Sequence, residues 1–221
     1  TSDQNTIKKH HQLQKIQHAL LHNEFCLYYQ PKVNMETGEV FGAEALIRWI
    51  DPELGLIPPL DFLPIIEGTE LEIKIGDWVI AEALKQLSEW KNQGLKFAVS
   101  VNISAHHMQF HSFIENLDAA LAKYPNINSN NLQLEILESS VIHDLNFISN
   151  IINTCKNGLG VDLALDDFGT GYSSLTHLRN LSVNTIKIDQ TFVRDMLDDP
   201  DDYAIIEGVI GLSASFGRRV I

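Results

Sequence analysis

The stretch VDLALDDFGTGYSS, residues 161–174, decides how this chain is read. Val161, Leu163 and Leu165 fall on one side of an extended strand, and Ala164 and Asp166 on the other. The apolar run ends in two adjacent aspartates, Asp166 and Asp167, followed by Phe168 and the glycine-bracketed turn Gly169-Thr170-Gly171. Neighbouring carboxylates repel each other and lose hydration if enclosed. The pair therefore calls for a positive group beside it, or for open water.

Working outward, the same parity recurs. Val99 and Val101 oppose Ser100 and Asn102. Leu132, Leu134 and Ile136 oppose Gln133 and Glu135, and Ile186 and Ile188 oppose Lys187. Near the N-terminus, Ala43, Ala45, Ile47 and Trp49 oppose Glu44, Leu46 and Arg48, while Tyr29 and Pro31 oppose Gln30. An open sheet covered by helices on both sides reads as apolar on both faces. One apolar and one polar-ended face fit a closed α/β barrel, whose outer face packs on helices and whose inner face converges on an axis. Gln30, Glu44, Arg48, Asn102, Glu135, Asp166 and Lys187 are then expected at the C-terminal mouth, with Asp167 just past its strand at the rim.

The elements between these strands support alternation. Residues 1–12 are polar and read as a linker or an entering helix, with LQKIQHALL as a short amphipathic helix after them. FCLYYQPKVN and EVFGAEALIRWI are expected to form a hairpin, and PPLDFLPIIE a short helix. Asp77 is placed as the cap of a helix to Trp90, and another helix is expected around 113–123. A helix capped by Asp144 is expected to stop at Gly158. SSLTHLRN and DYAIIEGVIGLSAS read as two further helices, with an extended start at RRVI. A barrel domain over 13–221 follows, incomplete at its C-terminus.

The chain has 221 residues, 44% hydrophobic, with 16 basic against 29 acidic residues and a net charge of −13. That acidity argues against nucleic-acid polymers and anionic membranes as partners, but not against a small anion held through metal ions. Cys26 and Cys155 lack zinc-site spacing and read as free thiols of a cytoplasmic protein.

Glu44, Glu135, Asp166 and the Asn102 amide offer an oxygen-rich set suited to Mg²⁺ or Mn²⁺, and Asp166 with Asp167 suits two cations. Lys187 and Arg48 suit a phosphate. The motifs YQP (29–31), EALIRW (44–49), SVNIS (100–104), LEILES (134–139), LDDFGTGYSSL (165–175) and IKID (186–189) together resemble the EAL-domain family. The resemblance implies a TIM-like (β/α)8 barrel with an antiparallel first strand. It also implies Mg²⁺- or Mn²⁺-dependent hydrolysis of cyclic di-GMP to linear pGpG. Position by position, Glu44, Asn102, Glu135 and Asp166 match metal ligands, and Asp167 the second-metal ligand. Lys187 matches the lysine that positions water, Gln30, Leu46 and Arg48 match substrate contacts, and Glu138 matches the glutamate that steadies the loop after Asp167. Attached sensory or GGDEF-type domains and a homodimer are the partners the resemblance implies.

Two departures stand out: Leu137 replaces the family's usual threonine, and the family continues past RRVI with a strand-end glutamate motif, a helix and a strand. Other readings stay open. Some relatives bind the nucleotide without cleaving it. Lys187 also fits a structural ion pair, or a Schiff-base nucleophile that the nearby carboxylates disfavour. His106, His107 and His111 lack a zinc motif and read as a solvated face.

Overall fold

The computed structural model describes residues 2–141, 144–169 and 175–221, with the side chains of those residues except 2, 3, 5 and 175–177. It divides into two compact units, residues 1–101 with 119–127, and residues 102–118 with 128–221. The expected turn residues Thr170 and Gly171, and the serines that open SSLTHLRN, lie outside the described residues.

In the first unit the polar N-terminal stretch and the amphipathic segment form one helix, α1 (Ser2–Leu21), which buries Ile16 and Ala19. β1 (Phe25–Val33) and β2 (Val40–Asp51) are the expected antiparallel hairpin, in register from Phe25 opposite Trp49 to Gln30 opposite Glu44 and beyond. β2 runs on to pair with β3 (Gly55–Ile57), a strand too short to leave a period in the sequence. β4 (Ala98–Asn102) lies parallel to β2, with Glu44 level with Ser100. A Cβ at Gly42 would sit 2.6 Å from the Ala98 carbonyl oxygen, so only glycine lets these two strands approach.

α2 (Pro59–Ile66) takes a proline in its first turn, as read. α3 (Glu70–Asn92) starts well before Asp77, which is therefore interior to the helix and not its cap. Leu71 and Ile75 extend the stripe of Val79, Ala83 and Leu87 back toward the N-terminus, and all five are buried. Phe25 sits at the centre of an aromatic cluster, with ring centroids 5.8, 5.4 and 6.0 Å from those of Trp49, Phe62 and Trp78.

Asp51 closes this unit's hairpin. Its Oδ1 accepts the Glu53 and Leu54 amides, and its Oδ2 lies 2.6 Å from Lys15 Nζ. The Lys15 hydrogen bond first, and the two amides after it, hold this carboxyl down to about 2. The folded value lies below the unfolded one of about 4, so the charged pair's stabilisation is complete above about pH 4 and fades as the pH falls toward 2. Asp51→Asn keeps the acceptor for the turn and loses the charge. Its urea midpoint is expected to fall below wild type at pH 7, and the gap to close through that acid window. A gap as wide at pH 3 as at pH 7 would assign the loss to packing instead.

The second unit carries β5 (Leu132–Leu137), β6 (Asp162–Phe168), β7 (Thr185–Ile188) and β8 (Arg219–Val220), paired in parallel in that order. α4 (Ala105–Met108) and α5 (Phe113–Ala122, whose end belongs to the first unit) precede β5, and between the strands lie α6 (Glu138–Val141), α7 (Leu145–Asn153), α8 (Leu175–Asn180), α9 (Gln190–Asp195) and α10 (Pro200–Ser215). Asp144 caps α7 by accepting from Phe147 N at 3.2 Å. α7 ends at Asn153 and widens into a π turn over Thr154–Leu159, so the helix proper stops before the expected Gly158.

The parity reading holds in this unit. Leu132, Leu134, Ile136, Leu163, Leu165 and Ile186 are fully buried. The opposite face is enclosed as well, but by polar groups that bond to one another. Gln133 Nε2 donates to Thr185 Oγ1 at 3.1 Å, from β5 to β7 past the small Ala164 of β6.

Candidate active site

One row above Gln133 and Thr185 the charges begin. Lys187 Nζ lies 2.5 Å from Glu135 Oε2 and 3.1 Å from Asp166 Oδ2, joining β7 to β5 and β6. Glu135 is 1% exposed, and the two carboxylates approach within 4.8 Å of each other. Ile103 N, next to Asn102, donates to the Glu135 carbonyl at 2.8 Å, which sets Asn102 beside the end of β5. The strand ends thus bring Glu135, Asp166 and Lys187 together, and this is the positive group that the tandem aspartates called for.

Asp167 differs from its expected place. β6 continues through it to Phe168, and the pairing with β7 skips from Leu165 to Phe168. Asp167 occupies this bulge with φ +53°, a left-handed conformation that aspartate tolerates better than most residues. Its amide donates to Asp166 Oδ1 at 2.9 Å. Asp167 keeps much of its surface in water; partial desolvation first, then the charges of Asp166 and Asp189 and a hydrogen bond with Asp189, push its carboxyl up to about 6. A cation placed among these groups would offset the repulsion and favour ionised Asp167.

The backbone just after β6 is held at Gly169. Gly169 N donates to Glu138 Oε2 at 3.2 Å, and Glu138 is 3% exposed. Gly169 has φ +105°, and a Cβ there would meet the Phe192 ring at 2.9 Å. Leu137, level with Asp166 at the end of β5, is by contrast exposed.

In the first unit, Gln30 and Glu44 face each other across the hairpin. Glu44 is not at a strand end, because β2 runs on to Asp51. Leu46 and Arg48 are half-buried on β2. Arg48 donates to the Ile47 carbonyl and lies 5.5 Å from the Tyr28 ring centroid.

Two polar residues escaped the sequence reading. Lys32 Nζ donates to Ser100 Oγ at 2.7 Å, and it shares the parity of Gln30, a signal that was there to find. Asp189 faces Asp167 and caps α9 through Thr191, and its place at the end of IKID marked it as a cap. His107 is not part of a solvated face. It is 1% exposed, with its ring centroid 5.1 Å from that of Phe113, because the Ser104 cap of α4 turns it inward. His106 and His111 are exposed as expected.

The chemistry of this donor set fits a hard divalent cation. The oxygen donors Glu135, Asp166 and Asp167 outnumber the one ammonium among them, and one of them is deeply enclosed.

A family model described as "EAL domain" matches residues 13–221. The chain is 40% identical over 197 residues to the cyclic di-GMP phosphodiesterase PA2567 of Pseudomonas aeruginosa, covering 89% of this chain and 33% of that protein. It spans about a third of the length of the curated relatives it matches. Among solved structures it superposes on the PaMucR phosphodiesterase in complex with c-di-GMP with a TM-score of 0.88 and 34% identity, over 95% of this chain and 85% of that one. On the EAL enzyme Bd1971 in its cGMP-bound form the TM-score is 0.90 at 32% identity, over 99% of this chain and 60% of that one. The fold class is therefore the expected TIM-like α/β barrel.

Proposed function

The chain belongs to the EAL domain family, and from that premise we propose that it hydrolyses cyclic di-GMP to linear pGpG with Mg²⁺ or Mn²⁺ as cofactor. The observation that carries the reading is the enclosed carboxylate pair, Glu135 and Asp166, held on the single Lys187 ammonium. Such a pair has no structural need to be buried, since apolar residues of similar volume pack as well or better.

In this reading Glu44, Asn102, Glu135 and Asp166 hold one cation, and Asp167 contributes to a second. When bound, the cations supply Lewis acidity, which makes water a nucleophile near neutral pH and offsets charge on the phosphoryl oxygens. Lys187 orients the attacking water and keeps it in line with the scissile bond. Gln30, Leu46 and Arg48 hold the nucleotide, with the Arg48 guanidinium suited to a phosphate. Glu138 acts at one remove, fixing Gly169 and through it the backbone after Asp167. The protein works in the cytoplasm, joined to sensory or GGDEF-type domains, as a homodimer.

The test is product analysis with Mn²⁺ or Mg²⁺ and after EDTA. Linear pGpG is expected with metal and none without it. A second reading, a receptor that binds the nucleotide without cleaving it, draws on the exposed Leu137, an apolar side chain at the position of the family's threonine. Tight binding of cyclic di-GMP with no pGpG in the presence of metal would establish the receptor and exclude the hydrolase.

A further inference from the structure

Lys32 puts an ammonium on the face of the first unit that carries Gln30 and Glu44, and neither the cation ligands nor the substrate contacts named above include it. On β1 it stands opposite Gly42 of β2, one row from the Gln30–Glu44 pair. β4 continues both rows, with Ala98 beside Gly42 and Ser100 beside Glu44. Lys32 Nζ nevertheless donates to Ser100 Oγ at 2.7 Å. The side chain therefore crosses β2, a span of two strand spacings or about 10 Å between the two backbones. As it crosses, it passes from the Gly42 row to the Glu44 row.

Gly42 makes that path possible. It puts no side chain in the way, and the next residue of β2 on the same face is Glu44. The ammonium is thus delivered at the level of Glu44, which lies between the strand that supplies the lysine and the strand that receives it. Ser100, the seat of the ammonium, is 2% exposed.

A staple from β1 to β4 needs no charge. The crossing from Gln133 to Thr185 past Ala164 is made by neutral groups. A part-buried ammonium loses hydration, a cost that a neutral donor largely avoids. The charge gains a use where the crossing ends level with a carboxylate, which it attracts and orients. Ser100, accepting from Lys32, also keeps its own O–H to donate.

Given the role proposed above for Glu44 as a cation ligand, we infer that Lys32, seated on Ser100, is a positioning residue that holds the Glu44 carboxylate ready for a divalent cation. A glutamate fixed before the cation arrives does not lose its side-chain freedom on binding. Lys32 also repels the cation, so its removal has two opposed consequences. Loss of a like charge alone tightens cation binding. Loss of a group that orients a metal ligand weakens it, typically by about 10–100-fold. The sign of the change separates the two.

Mn²⁺ binding to the metal-free chain, followed by the electron paramagnetic resonance signal of the free ion, reads this without turnover. Lys32→Met is expected to weaken Mn²⁺ binding about tenfold. Ser100→Ala keeps the ammonium but unseats it, and is expected to weaken binding by a smaller factor. Added to Lys32→Met, it is expected to change nothing further, because the two residues act as one unit. Urea midpoints establish that each variant is folded. Unchanged or tighter Mn²⁺ binding by folded Lys32→Met overturns the inference and leaves Lys32 a staple, as does full additivity of the two substitutions. If Lys32→Met does not fold, unchanged binding by Ser100→Ala overturns it. Glu44→Ala tests the underlying reading separately. Weakened binding in Glu44→Ala with none lost in Lys32→Met keeps Glu44 as a ligand and removes only the role of Lys32. Wild-type affinity in Glu44→Ala, or no Mn²⁺ binding by wild type, overturns both.

Discussion

Lys187→Met is expected to lower turnover of cyclic di-GMP by about 10²–10³-fold, the scale seen when a preorganised charge at the reacting centre is removed, and at the same time to destabilise the metal-free protein. The second effect follows from geometry alone. Glu135 is 1% exposed and its Oε2 lies 2.5 Å from the lysine nitrogen. Taking away one partner of such a buried pair leaves an uncompensated carboxylate and typically costs ~3–5 kcal/mol. Here the loss is compounded, because Asp166 shares the same ammonium at 3.1 Å and the two carboxylates are left facing each other. The variant reduces this cost by taking up a proton, so its stability is expected to improve toward acid pH relative to wild type. Mn²⁺ is expected to raise its melting temperature by more than it raises that of wild type, since a divalent cation replaces the missing charge. Melting curves with and without Mn²⁺, alongside product analysis, check both parts. If the metal stabilises the variant no more than wild type, the carboxylates are not its ligands.

Much of this arrangement was legible because strand parity is a strict code. Once Leu132, Leu134 and Ile136 were assigned to one face, Gln133 and Glu135 had to share the other, and the same held for Leu165 against Asp166. The Glu135–Lys187 bond follows from that code plus parallel pairing of β5, β6 and β7. The code fails where the backbone departs from a regular strand. Asp167 breaks the alternation at a bulge, and a bulge adds a residue without any compositional mark when the residue is not glycine. The short β3 and α4 span too few residues for a period to show. Asp77 misled for another reason. An aspartate is a good N-cap wherever it stands, and only the buried pair Leu71 and Ile75 upstream shows that the helix had already begun. His107 was misjudged because burial of one imidazole depends on the turn set by Ser104, which hydrophobic patterning does not report.

Glu44→Ala is the counterpart to the lysine variant, and the contrast between the two separates chemistry from folding. Glu44 is half-buried on β2, while its neighbours Ala43 and Ala45 are packed on the other side, at 6% and 2% exposure. Removing its carboxylate leaves that packed face intact, and the hairpin register from Phe25 to Val33 is carried by backbone hydrogen bonds. Stability is therefore expected to stay within about 1 kcal/mol of wild type. Turnover is expected to vanish. Residues that merely support metal ligands cost about 10–100-fold when removed, so loss of Glu44, a ligand in the function proposed above, should exceed that. Substitution by alanine also lowers the negative charge around the cations, so a higher Mn²⁺ concentration is needed for any residual rate. The decisive measurement is a Mn²⁺ titration of pGpG formation by purified Glu44→Ala, paired with its urea midpoint. A folded variant that turns over at the wild-type rate and metal concentration removes Glu44 from the site. A folded variant without activity, set against a destabilised Lys187→Met, assigns the two residues their different tasks: one holds the cation, and the other also holds the carboxylates apart from each other's charge.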